Sequence, residues 1–416
     1  MGQTISEKIL ATHAGKKKVS PGEILEAGVD YVMVNDVTGL PAFEVFEKFG
    51  TKPLKEKVVL IPDHYVPGKD VASAEQAKAM KEFQKKYEIE NYFEVGRGGV
   101  CHQLMIEEGF AAPGRLIVGA DSHTCSYGAL GAFSTGVGST EAAAVMASGK
   151  LWFKVPETQK FTVEGELGKH VMGKDVILHV IGDIGVDGSL YKVMEWYGSA
   201  LESLPLADRI SISNMAIEAG GKAGIFPPDK KVDEYLKGRV RGSYKKVFAD
   251  EDAEYAETYQ YAATDIVPTV SEPFLPENTK PASEVDVTIH QAYLGSCTNG
   301  RIEDMRVAAQ IIKGKKVHPD VRMIVVPAST RIQEQMISEG LMKVFMDAGA
   351  YVSGPTCGAC LGGYMGVLAN EEVCVSTTNR NFIGRMGHKG SKVYLANPAV
   401  VAASAIKGKI TDPNEL

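Results

Sequence analysis

The chain has 416 residues, 44% hydrophobic, 23% charged and 8% aromatic, with a formal net charge of −7. That balance suits a globular protein of about two to four domains, and it excludes a general attraction to nucleic acid or an anionic membrane. No apolar run approaches the roughly 18 residues of a membrane span. The start MGQTISEKILATHAGKKKVS lacks the apolar core of a secretion signal and six cysteines are too sparse for a disulfide scaffold, so a cytoplasmic location with reduced thiols is expected.

The first residues predict a helix entered through Thr4 or Ser6 and stopped at Gly15. KVVLI at 57–61 reads as a buried strand running into Asp63 and His64, and 73–89 as an amphipathic helix. His102 follows in GGVCHQ; RLIVGA at 115–120 reads as a strand leading to Asp121, Ser122 and His123. Histidine exchanges protons near neutrality when a carboxylate fixes its ring, so these pairings are candidate acid–base groups. Adjacent strand residues face opposite ways, so Asp63 orients His64 only if a turn intervenes.

The glycine-rich 128–141 fits neither nucleotide-loop pattern, having Val137 where a P-loop needs lysine. Close packing of a helix start on a sheet explains its glycines better. A weak boundary falls near Pro156. RISIS at 209–213 reads as a strand leading to Asn214, and Glu218, four residues later, shares a face with Asn214 if that stretch is helical. VPTVSEPFLPENTKPASEV, 267–285, has the prolines and polar filling of an interdomain linker.

The last third holds the most distinctive thiols. Cys297 stands in LGSCTNGR ahead of a predicted helix, 301–314, whose N-terminus would favour a thiolate. Strands are expected at 321–326 and 372–376, the second leading to Asn379 and Arg380, with Arg385 beyond. Arginine forks suit carboxylates. Between the strands, Cys357 and Cys360 form a CxxC among glycines; Cys101, Cys125 and Cys374 read as small buried thiols.

A lone CxxC serves redox pairs, zinc sites and iron–sulfur proteins alike. If Cys297 joins Cys357 and Cys360, three thiolates on a four-iron cluster leave one iron free to take water or substrate. A thiol redox pair, zinc, or no bound species are the alternatives. Alternating strands and helices argue for parallel sheets covered by helices, and polar residues at several strand ends argue for a shared cleft.

DH at 63–64, GADSHT at 119–124, SNMAIEAG at 213–220, GSCTNGR at 295–301, CGAC at 357–360 and NRNFIGR at 379–385 stand in one order. On these motifs the chain resembles the aconitase superfamily, in particular its two-subunit branch of isopropylmalate dehydratase and homoaconitase large subunits. The resemblance covers nearly the whole chain. It implies a hydro-lyase of three α/β domains with largely parallel sheets around a central cleft, at 1–155, 156–275 and 276–416, without the swivelling domain of longer aconitases. It implies one 4Fe–4S cluster on Cys297, Cys357 and Cys360, with one iron lacking a protein ligand.

His64, with Asp63, matches the group that protonates the leaving hydroxyl. Asp121 with His102 matches a supporting pair, and His123 and Glu218 match groups around the iron-bound hydroxyl. Asn214 and Asn379 match cluster neighbours, while Arg380 and Arg385 match contacts to substrate carboxylates. Cys125 and Ser126 replace the Pro-Asn of larger aconitases, with Ser126 expected near substrate. The chain ends at Leu416 after the cluster region, so a separate small subunit is expected to bring the swivelling domain and its serine base. The implied reaction interconverts 2- and 3-isopropylmalate on the route to leucine; homoaconitase, another branched-malate hydro-lyase, or a non-catalytic cluster- or metal-binding protein are the rivals.

Overall fold

The computed structural model describes residues 2–416. They group into two compact units, Met1–Glu164 with Ser189–Tyr261, and Gly165–Gly188 with Ala262–Leu416. Among the described residues, no helix is long and apolar enough to cross a membrane.

The first unit opens with the expected helix, Ile5–His13, capped by Thr4 and followed by Gly15 in a left-handed conformation. Its centre is a four-stranded sheet in the order Val58–Ile61, Tyr31–Asn35, Leu116–Gly119, Phe133–Gly136, parallel throughout. Successive side chains divide between the two faces. Val58, Leu60, Val32 and Val34 enter one core with Ile5, Phe43 and Phe83, while Val59, Ile61 and Met33 enter another with Leu104, Met105 and Ile210. Burial on both faces explains why these strands read as unbroken apolar runs.

A second sheet runs Glu257–Ala262, Thr158–Glu164, Val193–Tyr197, Ala223–Ile225, its last three strands parallel. The glycine-rich turn packs against it: a Cβ on Gly128 would lie 1.9 Å from the Gly224 carbonyl oxygen. The segment 209–213 departs from its expected strand. It lies in the helix Leu206–Asn214, buried from Ala207 onward. A short apolar run enclosed on all sides has no periodicity to separate helix from strand, and Arg209 is accommodated by Asp229 at 2.7 Å and by the Leu201 and Glu202 carbonyls.

The second unit is built on seven strands in the order Thr279–Pro281, Thr269–Ser271, Lys392–Ala396, Val373–Ser376, Gln291–Leu294, Arg322–Val325, Tyr351–Val352. The last five are mutually parallel; the first two add antiparallel pairings at one edge. The proline-rich 267–285 is therefore an edge hairpin of this sheet, correcting its reading as a linker. Edge strands tolerate proline because one side of the backbone needs no ladder partner.

The helix Gly173–Ile184 also belongs to this unit. Asp175 ties it down, accepting from the Met172 amide at 2.7 Å, the Thr269 amide at 2.8 Å and Asn397 Nδ2 at 2.6 Å.

Candidate functional site

In the first unit, the carboxyl ends of three neighbouring parallel strands, at Asn35, Ile61 and Gly119, deliver Asp36, Asp63–His64 and Asp121–His123 to one edge of the sheet. Ligand-binding groups of open α/β sheets gather at such edges. The strand stops at Ile61, so Asp63 and His64 lie in a turn and the opposite-face restriction lapses. Asp63 Oδ1 stands 2.6 Å from His64 Nδ1, and Asp63 Oδ2 accepts the Cys101 amide, the first of the helix Cys101–Glu107, at 2.8 Å.

Asp36, which the sequence reading passed over, fixes this turn. Its carboxylate accepts the amides of Asp63, His64 and Tyr65 at 2.9, 2.9 and 2.8 Å. The strand 31–35 running into Asn35–Asp36 shows the same polar strand end that singled out Asp63 and Asp121, so the signal was available.

Asp121 is the hub of the second set. Its Oδ1 accepts from His102 Nε2 at 2.9 Å and from the His123 amide at 2.9 Å, while His64 Nε2 lies 3.6 Å from Oδ2. Tyr127 Oη fixes the far side of the His102 ring at 3.0 Å. Burial opposes ionisation of Asp121, but His102, the bonds from His102 and His123, and the charge of His64 hold its carboxyl well below the usual range.

For His64, burial acts to lower the pKa, yet Asp63, Asp121 and Asp36 outweigh it and push it up to about 10. The protonated imidazole is thus the resting form. His64 and Asp121 retain 13% and 16% side-chain exposure, against 3% for His102 and 6% for His123, which makes the first two the groups that can meet a ligand.

His123 Nε2 meets Glu218 Oε1 at 2.8 Å. Asn214 serves the same turn, donating to Ser126 Oγ at 2.8 Å, and that hydroxyl donates to the His123 carbonyl at 2.6 Å. Ser126, expected near substrate, is fully buried and supports the backbone of His123. Two sets here, His102–Asp121–His123 and Asp36–Asp63–His64, have donor atoms close enough for a cation. Their bonds to one another describe a proton-holding network instead.

In the second unit, Cys297 lies three residues beyond the strand ending at Leu294, Asn379 three beyond Ser376, and Cys357 five beyond Val352. The strands are parallel, so all three loops leave the same edge. Thr377 laces two of them together: its hydroxyl donates to the Gly295 carbonyl and accepts the Gly295 amide, both at 2.9 Å. Tyr293 Oη reaches the third, donating to the Cys357 carbonyl at 3.2 Å.

Asn379 bridges the sulfurs. Its Nδ2 lies 3.3 Å from Cys297 Sγ, and its Oδ1 lies 3.7 Å from Cys360 Sγ. The helix Ile302–Ile312 begins five residues after Cys297, and Asp304 caps it by accepting the Arg301 amide at 2.9 Å. Cys297 thus precedes this helix, as expected, in a loop held by Arg301, which donates to the Cys297 and Thr298 carbonyls at 2.7 Å each.

Cys297, Cys357 and Cys360 are buried and, among the described residues, take part in no disulfide. Among the described residues they do not form a set with all donors within 4.8 Å of one another, as a single tetrahedral ion with metal–sulfur bonds of about 2.3 Å would require. Three cysteine sulfurs are the chemical donor set of an iron–sulfur cluster. Cys374 stays apart: it is enclosed in a strand, and burial pushes its thiol up to about 12.

Arg380 and Arg385 are half-buried on the loop beyond Asn379. That loop rests on the CxxC turn, since a Cβ on Gly362 would lie 2.7 Å from the Arg385 carbonyl oxygen. Asn381 anchors it to the edge hairpin through the Glu272 carbonyl at 2.8 Å. Sequence reasoning also missed Lys174, fully buried with its Nζ donating to the Thr377 and Thr378 carbonyls at 3.0 and 2.5 Å. A lysine beside an aspartate at a helix start gave no sign of these partners.

The model of the Aconitase family (aconitate hydratase) matches residues 7–286 and 277–408. The chain is 56% identical to the 3-isopropylmalate dehydratase large subunit of Thermodesulfovibrio yellowstonii and 54% identical to that of Halothermothrix orenii, over 100% of both chains in each case. It is 55% identical to the same subunit of Aquifex aeolicus, over 100% of this chain and 98% of the relative. The crystal structure of holo-form aconitase X from Thermococcus kodakaraensis is similar in fold, with a TM-score of 0.52 and 13% identity over 85% of this chain and 84% of that one.

Proposed function

Because the chain belongs to the aconitase family, we propose that it is the large subunit of a 3-isopropylmalate dehydratase, interconverting 2- and 3-isopropylmalate by loss and return of water in leucine biosynthesis. Relatives carrying that name match the chain from end to end at more than half of all positions. The observation that carries the chemistry is the Asn379 carboxamide lying against both Cys297 and Cys360, on loops that share one sheet edge with Cys357. The three larger sheets support the reading of three α/β domains, though not its boundary at 275/276, because the strand Thr269–Ser271 belongs to the sheet of the last domain.

Cys297, Cys357 and Cys360 would hold the 4Fe–4S cluster typical of the family, one iron having no protein ligand. When bound, the cluster supplies a Lewis acid for a substrate hydroxyl and carboxylate. Asn379 donates a hydrogen bond to Cys297 sulfur, and such bonds around metal ligands orient them. Arg380 and Arg385 bind substrate carboxylates through their planar forks.

Proton delivery falls to His64. Its Nδ1 is bonded to Asp63, so Nε2 is the nitrogen presented to a leaving hydroxyl. Holding that proton at neutral pH is what the surrounding carboxylates accomplish, and Asp36 prevents the turn from rotating the ring away. Asp121 and His102 keep the neighbouring charge fixed, and Glu218 holds His123 in one orientation. The base that removes the carbon-bound proton is assigned to the separate small subunit and its swivelling domain.

The test combines anaerobic cluster reconstitution with a candidate small subunit and assays isopropylmalate, homocitrate and citrate side by side. Turnover of isopropylmalate alone is expected. Preference for homocitrate would move the substrate assignment, and a chain that binds no iron and sulfide would remove the cluster reading.

A further inference from the structure

Lys174 poses a physical problem. Its side chain has no solvent exposure, and it is the second residue of the helix Gly173–Ile184, where the helix dipole disfavours a positive charge. A buried ammonium is costly unless anions and acceptors surround it. Its hydrogen bonds go to two main-chain carbonyls, Thr377 and Thr378.

Burial brings its pKa down to about 7, opposed by the charges that Cys360, Cys297, Asp304 and Asp175 would carry. The two carboxyls are already engaged, Asp304 by Asn299 and the Arg301 amide, Asp175 by two amides and Asn397. Burial pushes them up to about 6 and about 7 respectively.

We propose that Lys174 is the positioning cation of the cysteine site: it fixes the Thr377–Thr378 backbone that carries Asn379 onto the Cys297 and Cys360 sulfurs, and its charge offsets the negative charge gathered there. The inference rests on the cluster reading of Cys297, Cys357 and Cys360. The hydrogen bonds carry the anchoring half of the role. Thr377 is bonded to Gly295 through its hydroxyl and to Lys174 through its carbonyl, so one residue links the lysine to the Cys297 loop. Asn379 follows directly on Thr378, whose carbonyl takes the shorter of the two ammonium bonds.

The experiment reconstitutes the full-length parent, Lys174→Met, Lys174→Gln and Lys174→Arg anaerobically with ferrous iron and sulfide. It follows visible absorption, iron release to a ferrous chelator, and the midpoint potential. Lys174→Met is expected to release iron about tenfold faster than the parent, the usual scale for loss of an outer-shell partner, and to shift the potential negative. Lys174→Arg should recover most of the potential because it keeps the charge. Should the methionine variant fail to fold, Lys174→Gln carries the test, keeping amide donors for the same carbonyls but no charge; it too should shift the potential negative. A loaded parent with neutral variants unchanged in release and potential overturns this proposal alone, whereas a parent that takes up no cluster overturns it together with the reading it rests on.

Discussion

Asp63 joins His64 to the first turn of the helix Cys101–Glu107, one oxygen 2.6 Å from the imidazole Nδ1 and the other 2.8 Å from the Cys101 amide. One carboxylate thus sets both the tautomer and the direction of the ring. Asp63→Asn preserves the size but offers one acceptor for two donors. The His64 pKa should fall, and kcat with the small subunit present should drop by about 100-fold, the lower range for a displaced general acid, with KM little changed. An NMR titration of His64 alongside the kinetics checks this; an unaltered kcat would falsify the role given to the pair.

The elevated pKa of His64 also makes stability depend on pH. Burial favours the neutral ring, but Asp63, Asp121 and Asp36 favour the charged one more strongly, raising the value from 6.5 to about 10. The folded chain therefore holds the proton more tightly than the unfolded chain does. The stabilisation is fully present below pH 6.5 and is lost as pH rises through about 10. Melting curves of the parent and His64→Gln should differ most at the acid end of that window and converge toward its alkaline end. A difference that grows with pH would reverse the assigned sign.

Glu218 separates charge from shape. It meets His123 Nε2 at 2.8 Å inside a buried turn. Glu218→Gln keeps an acceptor oxygen of the same reach and removes the negative charge. Its melting temperature should stay close to the parent's while kcat falls by about 100-fold. A large drop in melting temperature with normal kcat would make Glu218 a folding residue.

The sequence revealed those features whose chemistry is local. Apolar runs marked Val58–Ile61, Leu116–Gly119, Arg322–Val325 and Val373–Ser376 because strands buried on both faces carry no polar alternation. The same rule misassigned the helix Leu206–Asn214, whose complete enclosure erases helical periodicity. The edge hairpin within 267–285 was hidden by its prolines, which mark linkers and edge strands equally. In the site, Asp63–His64 was legible because the partners adjoin. Asp36 and Lys174 act through backbone amides and carbonyls 27 to 29 and about 203 residues away, and nothing in their own neighbourhood announces a backbone partner.

Gly358, between the two cysteines of the CxxC, gives the most local test of the cysteine site. Its φ is +61°, where an L side chain costs about 1–2 kcal/mol, and a Cβ there would lie 2.2 Å from Tyr293 Oη. That hydroxyl cannot simply withdraw, because the ring is fully buried and the oxygen holds the Cys357 carbonyl. Gly358→Ala should lower the melting temperature by several degrees and reduce iron retained after reconstitution. Adding Tyr293→Phe removes the overlapping oxygen, leaving Tyr293 Cζ at 3.2 Å as the nearest ring atom. The double variant should therefore melt above Gly358→Ala but below the parent, since the backbone strain persists and the bond to the Cys357 carbonyl is gone. Differential scanning calorimetry of the four chains measures this coupling, and additive shifts would mean that the hydroxyl and the turn do not meet.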